Sequence, residues 1–532
     1  MKFFAAIVLL AAAAVAQADS ELADTIKAGD RRAALEMIAK GVDVNAAQGD
    51  GATPIHWAAY RVDVDLVKQL LAKGAKADVK NNFGATPLAE SVKVGNVPLV
   101  KMLLDAGANA NGANEDDQTP LMLAAKTGVV EIADLLVRHK ARVNEAEKWR
   151  GQTALMWAAS EGYADMADFL IKHGANVKVR ATINDWGSQI TSEPRAQYRP
   201  TGGLTPLLYA VRAGCDRCVT TMLKAGADVN FPTPDGVTPL MVALDNQHYD
   251  TAKLLMQKGA NPHVWDWYGR TALYVAVDVR TLRSRAGGGF GNGGGERARV
   301  RADKAGTTSV DILNMLLDAG VDRNPQLNMH RPGRGGNSGR FTDDLITAGA
   351  TPLLRAAVIY DDEAIKILLD HGALVDLPNA MGVTAFMTAA GLGVSIRDPI
   401  GNYLAPDVQK RAIATMALLR KAGADVNKRI TDTSGHTARI ARPSTMTTRQ
   451  GQTAIYGAIN WGWTEVVQDL LAHGARVDIV DAAGKTPIDA SLGNAGGRDY
   501  KKVDEIVALI RNATTAQTEK PLSASASGGA AN

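Results

Sequence analysis

The residue pair best placed to do chemistry is Cys215 and Cys218, the only two cysteines in a chain of 532 residues. Their spacing, Cys-Asp-Arg-Cys, lets two thiols close on each other or act as a reactive dithiol at a helix start. Val219 follows where covalent haem attachment would need a histidine, so that chemistry is excluded. The structural reading is a local disulfide or a buried thiol, and a redox role would need a supporting fold that nothing else in the chain suggests. Gly289-Phe290-Gly291-Asn292-Gly293-Gly294 matches a dinucleotide fingerprint, but no strand precedes it and no helix opens from it. With Arg280, Arg283, Arg285, Arg297, Arg299 and Arg301 around it, the stretch reads as a flexible basic loop, with an anion site for cell-envelope polyanions as its functional alternative. Gly484-Lys485-Thr486 resembles the end of a phosphate-binding loop, yet Ile479 stands where the first glycine belongs. Neither a His-Glu-x-x-His nor a Gly-x-Ser-x-Gly motif occurs. His139, His173, His371 and His473 each close a separate helical pattern, where a histidine caps carbonyls sooner than it binds metal. The expectation is no catalytic residue, no metal and no cofactor.

The elements that position these residues come from a repeat. A Thr-Pro-Leu tripeptide or a near variant recurs with its threonine at 53, 86, 119, 153, 205, 238, 271, 351, 384, 453 and 486. Most steps are 33 or 34 residues; the steps of 52, 80 and 69 exceed 33 by 19, 47 and 36, as if loops had entered intact units. Repeats one to eleven are numbered by these threonines. One unit precedes them, from Ser20 to Asp50, so about twelve units are expected.

Each unit reads as helix, turn, helix and extended loop. Thr53 can accept a hydrogen bond from a free amide at the helix start, and Pro54 sits where a missing N–H costs nothing. Leu66, Val67, Leu70 and Leu71 then place an apolar stripe on a second helix, which Gly74 ends by tolerating a left-handed backbone. Helices this short are marginal alone in water, so each pair must bury its stripe against its neighbours. Thr53-Pro54-Ile55-His56-Trp57-Ala58-Ala59, a second helix, and a loop such as Gly226-Ala227-Asp228-Val229-Asn230 together resemble the ankyrin repeat. The resemblance covers almost all of the chain after its first residues. It implies an all-α repeat solenoid with finger-like loops beside a concave face that binds partners, and it implies no chemistry. Two departures stand out. The histidine of the start motif survives only at His56, and Lys140 replaces the terminating glycine of repeat three at an expected cost of about 1 kcal/mol.

The frame also locates five insertions, near residues 179–202, 281–307, 325–348, 394–410 and 428–450. A longer loop costs only about 0.6 kcal/mol per doubling, so the stack tolerates them; long fingers can equally shape a binding site. The repeat array is expected over 19–513, with 20–50 and 484–513 as its caps and 514–532 as a disordered Ser/Ala/Gly tail. Trp57 and Trp157 fall inside first helices, where core packing is expected. By contrast Trp149, Trp186, Trp265, Trp267 and Tyr268 fall in fingers, with Arg150, Tyr198, Arg199 and Arg270 near them. Tryptophan, tyrosine and arginine dominate binding hot spots, so Trp149, Arg150, Trp186, Tyr198, Arg199, Trp265, Trp267 and Tyr268 are the candidate partner-binding residues. Finger-on-finger packing is the structural alternative for these rings.

The amino terminus sets the expected compartment. Lys2, an apolar run from Phe3 to Val15 and Ala16-Gln17-Ala18 make a secretory signal peptide over 1–18 with cleavage before Asp19. A periplasmic or secreted protein follows. With 59 basic and 56 acidic side chains, no global field draws it to nucleic acid or to an anionic membrane. The partner is expected to be another protein of the cell envelope or an exported one. The expected function is a non-catalytic interaction scaffold; the alternative is a small-molecule or glycan binder whose pocket, lined by Trp186, Tyr198, Trp265 and Trp267, is closed by the long fingers.

Overall fold

The computed structural model describes residues 21–184, 200–280, 306–328, 349–393, 405–431, 449–493 and 500–518. Among them are 24 helices in successive pairs, from Glu21–Ala28 with Arg31–Ala39 to Pro487–Gly493 with Tyr500–Thr518. The fold is the all-α repeat solenoid that the threonine period implies. The expected leader over 1–18 lies outside the described residues, and among those described no helix is long and apolar enough to cross a membrane.

The repeated threonine works as a cap. Thr86 accepts from the amide of Ala89, and Thr119, Thr153, Thr205, Thr238, Thr351 and Thr384 accept in the same way from the amide three residues on. On the second helix of repeat one, Leu66, Val67 and Leu70 are at most 2 % exposed, while Leu71 is only half-buried. Gly74 ends that helix at φ +90°, and Lys140 holds the equivalent left-handed conformation at φ +66°.

Two polar ladders tie neighbouring repeats together. Asn45 donates through Nδ2 to the Gly74 carbonyl at 3.0 Å and accepts through Oδ1 from the Lys76 amide at 2.8 Å, bracketing the next repeat's helix end. Asn111, Asn144 and Asn427 meet the following repeat in the same way. Along the fingers, backbone amides bond to carbonyls of the preceding finger: Asn82 to Asp50, Lys148 to Asp116, Thr182 to Arg150, Trp267 to Asp235 and Ala482 to Gln450. Finger backbones are therefore fixed although the loops are short of regular structure.

The chain forms two compact units, each described by itself. The first holds the amino-terminal unit and repeats one to five, up to Pro234; the second begins at Asp235 and holds repeats six to eleven. In the first, the insertion of repeat four leaves and returns through a two-residue antiparallel ladder, β1 (Ile183–Asn184) with β2 (Thr201–Gly202). In the second, Gly349 bonds to Leu327 and Gly451 to Ile430 at the bases of the other two long fingers, so each insertion enters beyond a preserved finger base. Two boundaries differ from expectation. The second helix of repeat nine, Val408–Lys421, begins inside the expected insertion, and the last helix runs to Thr518, into the segment expected to be a disordered tail.

Candidate functional site

In the first compact unit the finger of repeat three is organised by a buried acid. Glu147 is 5 % exposed, and its carboxylate accepts from the amides of Trp149 and Arg150 at 2.8 Å and of Gln152 at 3.0 Å. Its charge is thereby spent on backbone donors, which an unpaired buried carboxylate could not afford. Trp149 projects from this fixed turn with 68 % of its surface exposed. Its indole N–H donates to Asp116 Oδ1 of the preceding finger at 2.7 Å, and Arg150 beside it is also exposed.

Trp57 and Trp157 correct the expectation that both belong to the core. Each is half-buried on its first helix. The alanines one and two positions further on, Ala58, Ala59, Ala158 and Ala159, are fully buried and take the packing side, leaving the tryptophans on the flank of the helix. Trp57 donates through Nε1 to Gln48 Oε1 at 2.6 Å beneath Lys27, whose Nζ lies 4.7 Å from the ring centre. Trp157 sits under Lys126, with Nζ 5.5 Å from the ring centre. Its own Nε1 is shielded from solvent and has no hydrogen-bond partner among the described residues.

Finger and helices enclose a groove of about 490 Å³, lined by Trp149 and Arg150 from the finger and by Lys126, Trp157, Tyr209 and Arg212 from the first helices of repeats three to five. Tyr209 is held by a 2.6 Å hydrogen bond from Gln152 Nε2 and carries the Arg212 guanidinium 4.9 Å from its ring centre. Lys126, Trp157, Tyr209 and Arg212 stand four or seven positions after the repeat threonine. That spacing marks one helix face and was the available signal for a surface that the residue types alone did not reveal. Phe83, 68 % exposed on the finger of repeat one, was also missed.

The second compact unit repeats the device on the finger of repeat six. Trp265 is 68 % exposed and Trp267 40 %, while Asp266 between them is 2 % exposed. Asp266 accepts from the amides of Tyr268 and Arg270 and from Arg270 Nε at 2.6 Å. Arg270, expected among the exposed guanidiniums, is instead 7 % exposed and also meets Asp245 at 3.4 Å. Burial alone would lower its pKa, but the Asp245 and Asp266 carboxylates outweigh that and raise it, so it stays charged. Half-buried Tyr268 lies 6.0 Å above it. The structure thus presents Trp149 and Arg150 on one unit, Trp265 and Trp267 on the other, and Tyr268 as a packed ring. Trp186, Tyr198 and Arg199 lie outside the described residues.

The remaining chemical candidates resolve into structure. Cys215 and Cys218 have their sulfurs 1.97 Å apart, with Cys215 at the helix cap and Cys218 fully buried. His139, His173, His371 and His473 each place Nδ1 2.7–2.9 Å from the carbonyl four residues back, a capping contact. Among the described residues no group of three or more His, Cys, Asp or Glu could hold a metal ion. Thr486 caps its helix against Asp489, the role of a repeat start.

The family model for three copies of the ankyrin repeat matches residues 22–114, 95–181, 189–266 and 207–282, and the single-repeat model matches 450–482, together more than half of the chain. The chain is an ankyrin-repeat protein. It is 28 % identical over 202 residues to a probable E3 ubiquitin-protein ligase, XBOS32, of Oryza sativa subsp. japonica, covering 37 % of each chain. It is 30 % identical over 192 residues to the mitochondrial disaggregase of Homo sapiens, covering 35 % of this ankyrin-repeat chain and 24 % of that protein. These matches span well under half the length of either relative. A solved human ankyrin-repeat domain, that of ASB11, aligns with 46 % of the chain and 99 % of its own at 24 % identity and a TM-score of 0.37. Ankyrin repeats bind other proteins, and the fold is generally non-catalytic.

Proposed function

We propose that this ankyrin-repeat protein is a non-catalytic protein-protein interaction scaffold that works outside the cytoplasm, in the periplasm or after secretion, and holds an exported partner on its finger and inner-helix face. One observation carries the reading. On two fingers an exposed tryptophan projects from a turn fixed by a buried carboxylate, Trp149 over Glu147 and Trp265 beside Asp266. Rings held in advance lose little freedom on binding, and such rigid aromatic anchors carry most of the energy of protein interfaces. The test is a photo-crosslinking amino acid placed at 149 or 265 in intact cells, with the exposed second-helix position 68 as control. Adducts of one exported protein from 149 or 265 and none from 68 support the reading; equal adducts from all three overturn it. Amino-terminal sequencing decides the compartment: a mature chain beginning at Asp19 supports export, and an uncleaved cytoplasmic chain overturns it.

The groove of about 490 Å³ gives the second reading, a small-molecule or glycan binder, an observation of its own, since its volume lies in the range of ligand pockets. A neutral sugar ring needs acceptors as well as donors around it. The groove's lining is richer in donors, which favours a protein partner.

A further inference from the structure

We propose that the Cys215–Cys218 disulfide is an exchange site for thiols, in which Cys215 is the sulfur attacked and Cys218 the sulfur released. The inference goes beyond the scaffold reading and does not depend on it.

The position of Cys215 carries the first part of the argument. It caps the second helix of repeat five, Asp216–Lys224, and its Sγ accepts from the Cys218 amide at 3.2 Å. The same cap is made in other repeats by the carboxylates of Asp30, Asp63 and Asp361 and by the side-chain oxygen of Asn96, each accepting from the amide three residues on. Repeat five thus puts a sulfur where the fold elsewhere puts a carboxylate or amide oxygen. Freed of its bond, that sulfur faces an amide donor and the positive end of a helix, a setting that favours thiolate over thiol. Stabilising the reduced form in this way makes a disulfide easier to open.

Burial decides which sulfur meets a reactant. Cys215 is half-buried, whereas Cys218 is fully buried in the apolar stripe, where Leu66, Leu99 and Met166 stand in other repeats. An incoming thiolate therefore attacks Cys215 Sγ. A new S–S bond forms there as the Cys215–Cys218 bond breaks, and the electron pair leaves on Cys218 Sγ, which takes up a proton because a buried charge is costly. One disulfide replaces another, so the step involves no net oxidation. Opening the bond disturbs the fold little, since it joins cysteines only 3 apart in sequence and the cap contact does not need it. Cys218 stays beside the mixed disulfide and reverses the exchange unless the captured thiol gains further contacts. Such contacts are at hand. Cys215 Sγ lies 3.6 Å from the carbonyl oxygen of Gly162, next in sequence to Glu161, and Glu161 and Arg212 both line the groove. The ligand class is therefore a thiol on a molecule that also rests against the groove's rim.

The test uses the whole mature chain with one cysteine at a time and methyl methanethiosulfonate as the probe, at about pH 5.5, where an ordinary thiol is almost wholly protonated. Cys218→Ala should react at least about tenfold faster than N-acetylcysteine, and Cys215→Ala at least about tenfold more slowly than Cys218→Ala. Equal rates in the two variants, or a Cys218→Ala chain no faster than N-acetylcysteine, overturn the inference. If circular dichroism shows that either variant does not fold, the unsubstituted protein decides after incubation with reduced glutathione, acid quenching and peptide mapping. Its first product should carry glutathione on Cys215 and a free thiol at Cys218; an intact disulfide or a first adduct on Cys218 overturns the proposal. Nonreducing mass spectrometry of the Cys218→Ala chain from its native compartment separates the two sources of thiol, a small-thiol adduct or a protein joined through Cys215. A bare thiol at 215 there counts against exchange with either.

Discussion

His56 donates through Nε2 to the carbonyl of Ala85, one repeat further on, at 3.1 Å, while its Nδ1 accepts from the Thr53 amide at 3.1 Å. The ring is thus neutral, with its proton on Nε2. Burial lowers its pKa from the ordinary 6.5, more than the Ala85 carbonyl raises it. A pKa lower in the folded than in the unfolded chain means that the unfolded chain takes up the proton first. The stabilisation is complete above pH 6.5 and is lost as pH falls through that value toward the folded pKa. Urea midpoints measured at pH 7.5 and pH 5.5 should drop on acidification in the parent chain and drop less in His56→Gln. Equal drops would show that other groups govern the acid response.

Val62 bends the turn between the helices of repeat one at φ +61°, where the corresponding residues of neighbouring repeats are Gly95, Gly128, Gly162 and Gly214. A β-branched residue there is strained by about 1–2 kcal/mol. Because Val62 is 38 % exposed and gives up little packing, Val62→Gly should raise stability by up to about 1 kcal/mol after the entropy of glycine is deducted. Tyr360 occupies the same turn position in repeat eight at φ +57°, but it is 8 % exposed and packs against Arg411. Tyr360→Gly should destabilise by about 2 kcal/mol or more, since the lost ring outweighs the strain relieved. Denaturant titration of both variants measures the contrast, and a stabilising Tyr360→Gly would show that backbone strain dominates at both sites.

The order of these effects explains what the sequence made legible. Threonine caps, proline at the first helical position, the apolar stripe of Leu66, Val67 and Leu70, and a terminating glycine are local rules, so the fold class and the repeat period could be read directly. Trp157 could not, because an aromatic residue on a helix reads as core until its flanking alanines are seen to take the packing side. Arg270 misled for a related reason. Its partners Asp245 and Asp266 lie on a helix and a finger, and whether a guanidinium is spent on buried carboxylates depends on how the loop folds back. Glu147 shows the same limit from the other side, since its backbone partners are set by the turn conformation and not by side-chain types.

The sulfurs of Cys215 and Cys218 are placed as a bonded pair at the cap of a helix, and Cys218 is fully buried. Protein isolated from its native compartment should therefore take up a thiol-alkylating reagent at both cysteines only after reduction. Two free thiols without reductant would sink the assignment. The double substitution Cys215→Ser with Cys218→Ala should cost little through chain entropy, because the bond closes a very short loop. A large loss would point to packing around position 218.

The last prediction separates ring from anchor on the finger of repeat six. Trp265 and Trp267 are exposed, whereas Asp266 and Arg270 between and behind them are buried and bonded to each other at 2.6 Å. Replacing both tryptophans by alanine removes surface area without unpairing a buried charge, so thermal unfolding should move little. Partner binding should weaken by about 2 kcal/mol or more if these rings are the hot spot. Arg270→Ala should behave in the opposite way. It strands the Asp266 carboxylate, which is buried with only backbone amides left to pair it, and breaking a buried ion pair costs about 3–5 kcal/mol. Binding should then fall because the finger loses its shape. Measuring the unfolding midpoint and partner affinity for both variants gives a crossed pattern that no single role produces. If the tryptophan pair also unfolds the protein, the rings are structural; if it folds and binds normally, the site lies elsewhere, and the groove beneath Trp149 becomes the surface to test.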